Sequence, residues 1–232
     1  MFRTQREFGQ MILAIGNGTH VPTVFQDGYV RDPTRGATTV ELRGCQRIMN
    51  MEDAINFVFP PPFRPEAFCN RAILAGKNED VDKWNLEVQQ LNNFTATTLA
   101  SHDELAESDD PYNILRSMLT DDVLNNYNNN GVPPHILHLK INDTCIVLRN
   151  LNKKEGLTNN TRVRVIAITS KCIRVQTFGE VKRIFSVPRI RFKFRLPFGR
   201  SFELIRTQFP LRLAYCISIN KSQGKKIVDF PR

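Results

Sequence analysis

Lys221 is the residue whose neighbours best suit it to meet a phosphate. The segment Asn220-Lys221-Ser222-Gln223-Gly224 joins one positive charge, several side-chain donors and a glycine within five positions. The run before it reads QFPLRLAYCISI, with apolar residues alternating at Leu211, Leu213, Tyr215, Ile217 and Ile219. That is the period of a β-strand. Ala214, Cys216 and Ser218 between them are small, so the second face can also pack closely under a helix. A strand buried on both faces and running into a polar loop suits the end of a parallel strand. Ligands of open α/β sheets bind outside those carboxyl ends.

Other constellations offer less chemistry. A nucleotide-hydrolysing site needs backbone amides and a lysine around the phosphates, in the form GxxxxGK[ST]. Here Gly76-Lys77 is followed by Asn78, and Gly224-Lys225 by Lys226. Cys45, Cys69, Cys145, Cys172 and Cys216 are scattered, with no CxxC pair, which reads as buried reduced thiols. His20, His102, His135 and His138 do not cluster with them, so no metal site is expected and the histidines read as structural or surface residues. No catalytic set is complete.

The elements that must position Lys221 fit in a chain of 232 residues, enough for one large domain or two small ones. A hydrophobic content of 41% with 24% charged residues is that of a soluble globular protein. No apolar run approaches the ~18 residues of a membrane span, so no membrane partner is expected. The start, MFRTQREFGQMILAIG, carries Glu7 and no small-residue cleavage site, which makes it a poor signal peptide. An intracellular protein is the expectation. The net charge of +9 is unevenly divided. Residues 1–131 hold 11 basic and 18 acidic side chains, whereas residues 132–232 hold 21 and 5. A polyanion surface in the second half is one reading, and a merely soluble basic face is the other.

In chain order, residues 1–20 have helical spacing at Phe8, Met11, Ile12 and Ile15, stopped by Gly16-Asn17-Gly18. A second amphipathic helix is expected over about 39–57, before Pro60-Pro61-Pro62. In NRAILAGKNEDVDKWN, residues 70–85, the run 72–75 makes a short buried strand and Gly76 turns the chain. Asn78 is placed to cap a helix bearing Val81, Trp84 and Val88 on one face. Residues 93–131 are polar and acidic, with a short helix over about 112–124. From Gly131 the pattern changes to short β-branched runs punctuated by Asn142-Asp143 and by 152–156, which predicts a small antiparallel barrel.

Several of these stretches, in this order, resemble the Pif family of superfamily-one, ATP-dependent DNA helicases and the related helicases of Helitron transposons. The strand-to-loop stretch 208–224 is similar to one of their motifs. Arg71, Asn78, Val81, Asp82 and Asn85 match the motif that opens their second motor domain, with Gly76 in place of a proline and Trp84 in place of an isoleucine. Leu139, Lys140, Arg149, Asn150, Leu151, Gly156, Leu157, Asn159, Thr161 and Arg162 agree with their inserted barrel. Two of its usual glycines are Asn142 and Asn160 here, and asparagine is among the few residues that tolerate positive φ. Asp103-Glu104-Leu105-Ala106 imitates the acidic magnesium motif of helicases without the apolar strand that should lead into it, and is expected at the surface.

The resemblance implies an α/β fold: a partial RecA-like parallel-sheet domain interrupted by a small Src-homology-like β-barrel. Residues 1–67 would be a helical lead-in from a first motor domain, 68–131 and 196–232 the partial second motor domain, and 132–195 the barrel. Strand 211–219 should then pair parallel with the strand near 72–75. The resemblance places Asn220, Lys221, Ser222 and Gln223 on single-stranded DNA, with Lys140, Arg149 and Arg162 as weaker candidates. It places Arg71, Lys77, Asn78, Gln223 and Gly224 near the nucleotide. ATP and magnesium would be cofactors of the complete family member, and none is expected on this chain alone. Expected partners are single-stranded DNA and a first motor half, in DNA repair or recombination, in the nucleus. The leading expectation is a C-terminal fragment of such a helicase, coupling single-stranded DNA to ATP hydrolysis in the complete protein. The alternatives are a catalytically inactive, transposon-derived nucleic-acid-binding remnant and a structural relic.

Overall fold

The computed structural model describes residues 50–66, 68, 71–106, 120–127, 131–179, 181–196 and 203–219, with Gln10, Leu13, Asn17 and Ile48. The segment 220–224, Lys225 and Lys226 lie outside the described residues, as do most of the helix expected over 1–20 and residues 112–119 of the helix expected over 112–124. The chain divides into two compact units, Met1–Asp53 and Ala54–Arg232. In the first, Asn50 begins a helix: its Oδ1 accepts the Asp53 N–H at 2.8 Å and its Nδ2 donates to the Asp53 carboxylate at 2.7 Å. This reciprocal cap starts α1 (Met51–Val58), which overlaps the end of the helix expected over about 39–57, whose residues 39–47 and 49 lie outside the described residues.

The second unit is mostly β with few helices. Strand β1 (Ile73–Ala75) runs into α2 (Asn78–Gln90). The helix starts with Lys77 in the cap position and no side-chain cap bond, so Asn78 is its first turn rather than its cap. Then come β2 (Thr97–Ala100), β3 (His102–Leu105) and the short α3 (Asp121–Asn126). Strands β4 (Ile136–Leu139), β5 (Thr144–Val147), β6 (Arg162–Ile168), β7 (Cys172–Thr177), β8 (Ile184–Pro188) and β9 (Ile190–Arg195) follow. The last described strands are β10 (Glu203–Gln208), β11 (Leu211–Leu213) and β12 (Cys216–Ser218).

Among the described residues four sheets form: β11-β5-β6-β7-β8, β3-β10-β9, the pair β2-β4 and the pair β1-β12. Of these the last is parallel, with Ile73, Leu74 and Ala75 opposite Cys216, Ile217 and Ser218. The expected parallel pairing is therefore present. The continuous strand expected over 211–219 is instead two strands with different partners. Leu211–Leu213 pairs antiparallel with β5, and after Ala214-Tyr215 the chain joins β1. Arg162 holds the crossing point, where its Nη2 donates to the Ala214 carbonyl at 3.0 Å and the Arg71 carbonyl at 2.8 Å.

The main apolar core includes Ile146, Leu148, Phe192, Phe194, Leu204 and Ile217, so it joins the five-stranded sheet, the β3-β10-β9 sheet and β12. A smaller cluster of Ala75, Val81 and Cys216 seats α2 on the parallel pair. Asn142 and Asn160 adopt φ of 72° and 64°, the left-handed turns that asparagine tolerates. Asp103 does not lie at the surface. Its side chain is 2% exposed and faces the fully buried Arg206. A carboxylate at such a position must be compensated, and here the Arg206 guanidinium does so.

Candidate nucleic-acid interface

Parallel pairing sends β1 and β12 in the same direction, so both strands end at one edge of the pair. Ala75 lies opposite Ser218, and the chain leaves that edge twice, at Gly76-Lys77 into α2 and at Ile219 toward Asn220. The exits of parallel strands at one edge are where α/β sheets bind ligands. Ile217 is buried in the main core, Ser218 is half-buried and Ile219 is exposed, so the chain emerges from the core as it nears the edge.

Helix α2 is fastened to this edge by polar contacts along its length. Asp82 accepts both of its contacts from Arg212 Nη2 at 2.7 Å. Asn85, 2% exposed, receives the Cys216 N–H at 2.8 Å and donates to the Cys216 carbonyl at 3.0 Å. Near the far end, Gln89 and Asn92 donate to the buried Asp143 carboxylate, which also accepts from Tyr215 Oη at 3.0 Å and the Lys140 N–H at 2.7 Å. Burial pushes the Asp143 carboxyl above its ordinary value, against the four donors that lower it. The Cys216 thiol is pushed up to about 12 by burial, with Asp80 and Asp82 adding repulsion. Cys145 is also pushed well up, chiefly by burial and also by Asp143. These two are buried, protonated thiols, in keeping with their sequence surroundings.

The sequence-derived candidates separate on this frame. Lys77 and Asn78 stand at the junction and are exposed, while Arg71 lies before β1 and donates to the Val58 carbonyl at 3.1 Å. Lys140 Nζ is engaged by the carbonyls of Gln89 at 3.1 Å and Asn92 at 2.7 Å. Arg162 is engaged at the strand crossing. Arg149 is exposed, its guanidinium 4.9 Å from the centre of the Phe192 ring. The structure therefore brings Lys77 and Asn78 to the edge from which segment 220–224 departs, and places Lys140 and Arg162 in supporting bonds. Sequence reasoning missed the buried pair Asp103–Arg206 and the clamp role of Asn85. A buried-strand pattern does not reveal which polar residue caps its edge.

A triphosphate does not fit the described part of this edge. Lys77 is the cation there, and the first turn of α2 carries Glu79 and Asp80, which oppose an anion at the helix N-terminus. Among the described residues no group of three carboxylate, histidine or cysteine side chains could hold a metal ion. No described helix is long and apolar enough to cross a membrane.

Residues 122–168 match the family described as DNA helicase Pif1, 2B domain. The Pif1 helicase from Candida albicans superposes with a TM-score of 0.51 at 21% identity, over 75% of this chain and 41% of that one. Bacteroides Pif1 bound to ssDNA superposes with a TM-score of 0.52 at 18% identity, over 97% of this chain and 42% of that one. The chain is similar to a C-terminal portion of a Pif1-family helicase. Bacteroides sp Pif1 in complex with ADP-AlF4 overlaps less well, with a TM-score of 0.48 at 17% identity, over 96% of this chain and 41% of that one. The chain thus spans about two-fifths of the Pif1 structures it matches. No curated protein sequence matches it.

Proposed function

We propose that the chain is a DNA-contacting portion of a Pif1-type ATP-dependent DNA helicase, which holds single-stranded DNA through Asn220, Lys221, Ser222 and Gln223. In this reading β1, α2 and β12 belong to a partial RecA-like second motor domain made from residues 68–131 and 196–232, interrupted by a barrel from 132–195. Lys77, Asn78 and Gly224 would lie toward the nucleotide, with ATP and magnesium bound only in the complete, nuclear protein. The observation that carries the reading is the parallel register of Ala75 with Ser218, which sets the ends of both strands at one edge. The match of residues 122–168 to the Pif1 2B domain and the ssDNA in the Bacteroides Pif1 structure support the choice of ligand.

Binding of labelled oligo-dT to the purified chain across a salt series tests it. Three or four phosphate contacts on a single strand give a log–log slope of roughly −2 to −3. Backbone contacts position a strand without reading bases, so little sequence preference is expected. Lys221→Ala should lower affinity and flatten the slope by somewhat under about one unit, while Lys83→Ala, on the exposed side of α2, should do neither. Parent-like binding by both variants would overturn the reading.

A further inference from the structure

We infer that the cavity between α2, β11 and the start of β4 binds a small organic cation: a compact apolar body bearing one ammonium or guanidinium group. The inference goes beyond the DNA reading and does not depend on it. The cavity has a volume of about 470 Å³, within the range of small-ligand pockets. Its apolar walls come from three elements. Leu86 belongs to α2, Leu213 to β11, and Val132, Pro134 and Ile136 to β4 and the segment before it. Val132 and Leu213 are buried, but Leu86 is 52% exposed and Ile136 39%. Two large apolar side chains of one cavity thus remain in water, and a ligand with an apolar body would cover them.

The charged groups decide the sign of the ligand. Glu79 and Asp82 stand three positions apart on α2 and so share one face of the helix. Both line the cavity, together with Arg212. Arg212 Nη2 is spent on Asp82, with both carboxylate oxygens at 2.7 Å. Glu79 forms no ion pair among the described residues. His138, also on the wall, is tied through Nδ1 to Thr98 Oγ1 at 3.1 Å. Two carboxylates against one guanidinium leave a negative excess, which disfavours phosphates and carboxylates and favours a cation. Because Arg212 already holds Asp82, Glu79 is the carboxylate that the positive end of a ligand would meet. The apolar walls suit an organic cation better than a metal ion, which needs several oxygen ligands. Among the described residues no such ligand set occurs.

Phenethylammonium, 2-phenylethanol and 3-phenylpropionate share a phenyl body and differ in charge, which makes them a matched set of probes. Titrated into the full chain by ligand-observed NMR, the ammonium should bind in the roughly millimolar range of so small a ligand. It should bind about twofold to fivefold more tightly than the alcohol, the share of a partly exposed ion pair. The carboxylate should bind weakest. Glu79→Gln should bring the ammonium level with the alcohol. Leu86→Gln should weaken both by about threefold or more, through lost apolar contact. Both side chains are exposed on α2, so the melting temperature of each variant should stay near that of the parent. Ile136→Thr, on the β4 wall, tests the apolar contact a second time. Equal binding of ammonium and alcohol by the parent, no binding of either, or parent-like discrimination in Glu79→Gln would overturn the inference. Unchanged affinity in both Leu86→Gln and Ile136→Thr would also overturn it, by placing the probe elsewhere. None of these outcomes touches the reading of segment 220–224.

Discussion

Arg206 and Asp103 form an ion pair closed off from water, with Nε and Nη2 of the guanidinium donating to the carboxylate at 2.8 to 3.1 Å. Arg206 also donates to the carbonyls of Pro133, Leu124 and Asn125, so one side chain ties β10 to β3, to α3 and to the segment before β4. Removing one partner of such a pair leaves the other buried and uncompensated, at a cost of about 3–5 kcal/mol. Asp103→Ala should therefore destabilise by that order in urea unfolding. The adjacent Glu104 offers a control, because its pair with Arg191 is exposed on both sides. Glu104→Ala should cost less than about 1 kcal/mol. Similar midpoints for the two variants would show that the Asp103 pair is not desolvated as described.

This pair also marks how far the sequence could be read. Asp103 sits in a four-residue stretch with no apolar run before it, and its partner lies 103 positions away. Neither periodicity nor local charge connects them. The parallel pair was legible because both strands are apolar on two faces and flank turn residues. The division of 211–219 was not. Hydrophobic alternation reports which faces are buried, and it continues unbroken while the strand changes partner from β5 to β1. For the same reason Asn85 read as part of a motif, while its bonds to Cys216 appeared only in the structure.

The turns at Asn142 and Asn160 were legible, since few residue types accept left-handed backbone. Their φ values of 72° and 64° predict a specific ranking. Asn142→Ala and Asn160→Ala should each destabilise by up to about 1 kcal/mol, because alanine keeps the Cβ that crowds this region and loses the short polar side chain that eases it. Asn142→Gly should lie within about 0.5 kcal/mol of the parent, because glycine adopts this conformation freely but loses more entropy on folding. Equal unfolding midpoints for the alanine and glycine variants would refute the role assigned to φ.

Asp143 faces donors only: the amides of Gln89 and Asn92, the Lys140 N–H and the Tyr215 hydroxyl. In Asp143→Asn one carboxylate oxygen becomes an amide that points a donor at donors. A loss of about 1–3 kcal/mol is expected despite the removal of a buried charge. The pH dependence has a defined sign. Burial raises the folded-state pKa above the ordinary carboxylate value of 3.8, so the folded protein takes up this proton more readily than the unfolded chain. Asp143 thus adds stability as pH falls through the raised pKa, and the gain is complete below 3.8. Other carboxylates respond in their own directions, so the quantity to follow is parent minus Asp143→Asn. That difference should grow toward acid pH, and a difference that shrinks would contradict the assignment.

The basic residues of the second half divide into those that support the fold and those that can reach a ligand. Lys140 Nζ holds two carbonyls at the end of α2, and Arg162 holds two at the strand crossing. An ammonium or guanidinium already satisfied by carbonyls has fewer donors left for phosphate, and losing it strands those acceptors. Lys140→Ala and Arg162→Ala should each cost about 1–3 kcal/mol of stability and leave the salt slope of oligo-dT binding unchanged. Arg149 is exposed and rests on the Phe192 ring, which holds the guanidinium without consuming all of its in-plane donors. Arg149→Ala should flatten the slope by up to about 0.7 while moving the melting temperature little. The opposite pattern, with Lys140→Ala or Arg162→Ala flattening the slope and Arg149→Ala silent, would show that DNA displaces the internal carbonyl bonds. The supporting roles of Lys140 and Arg162 would then fall.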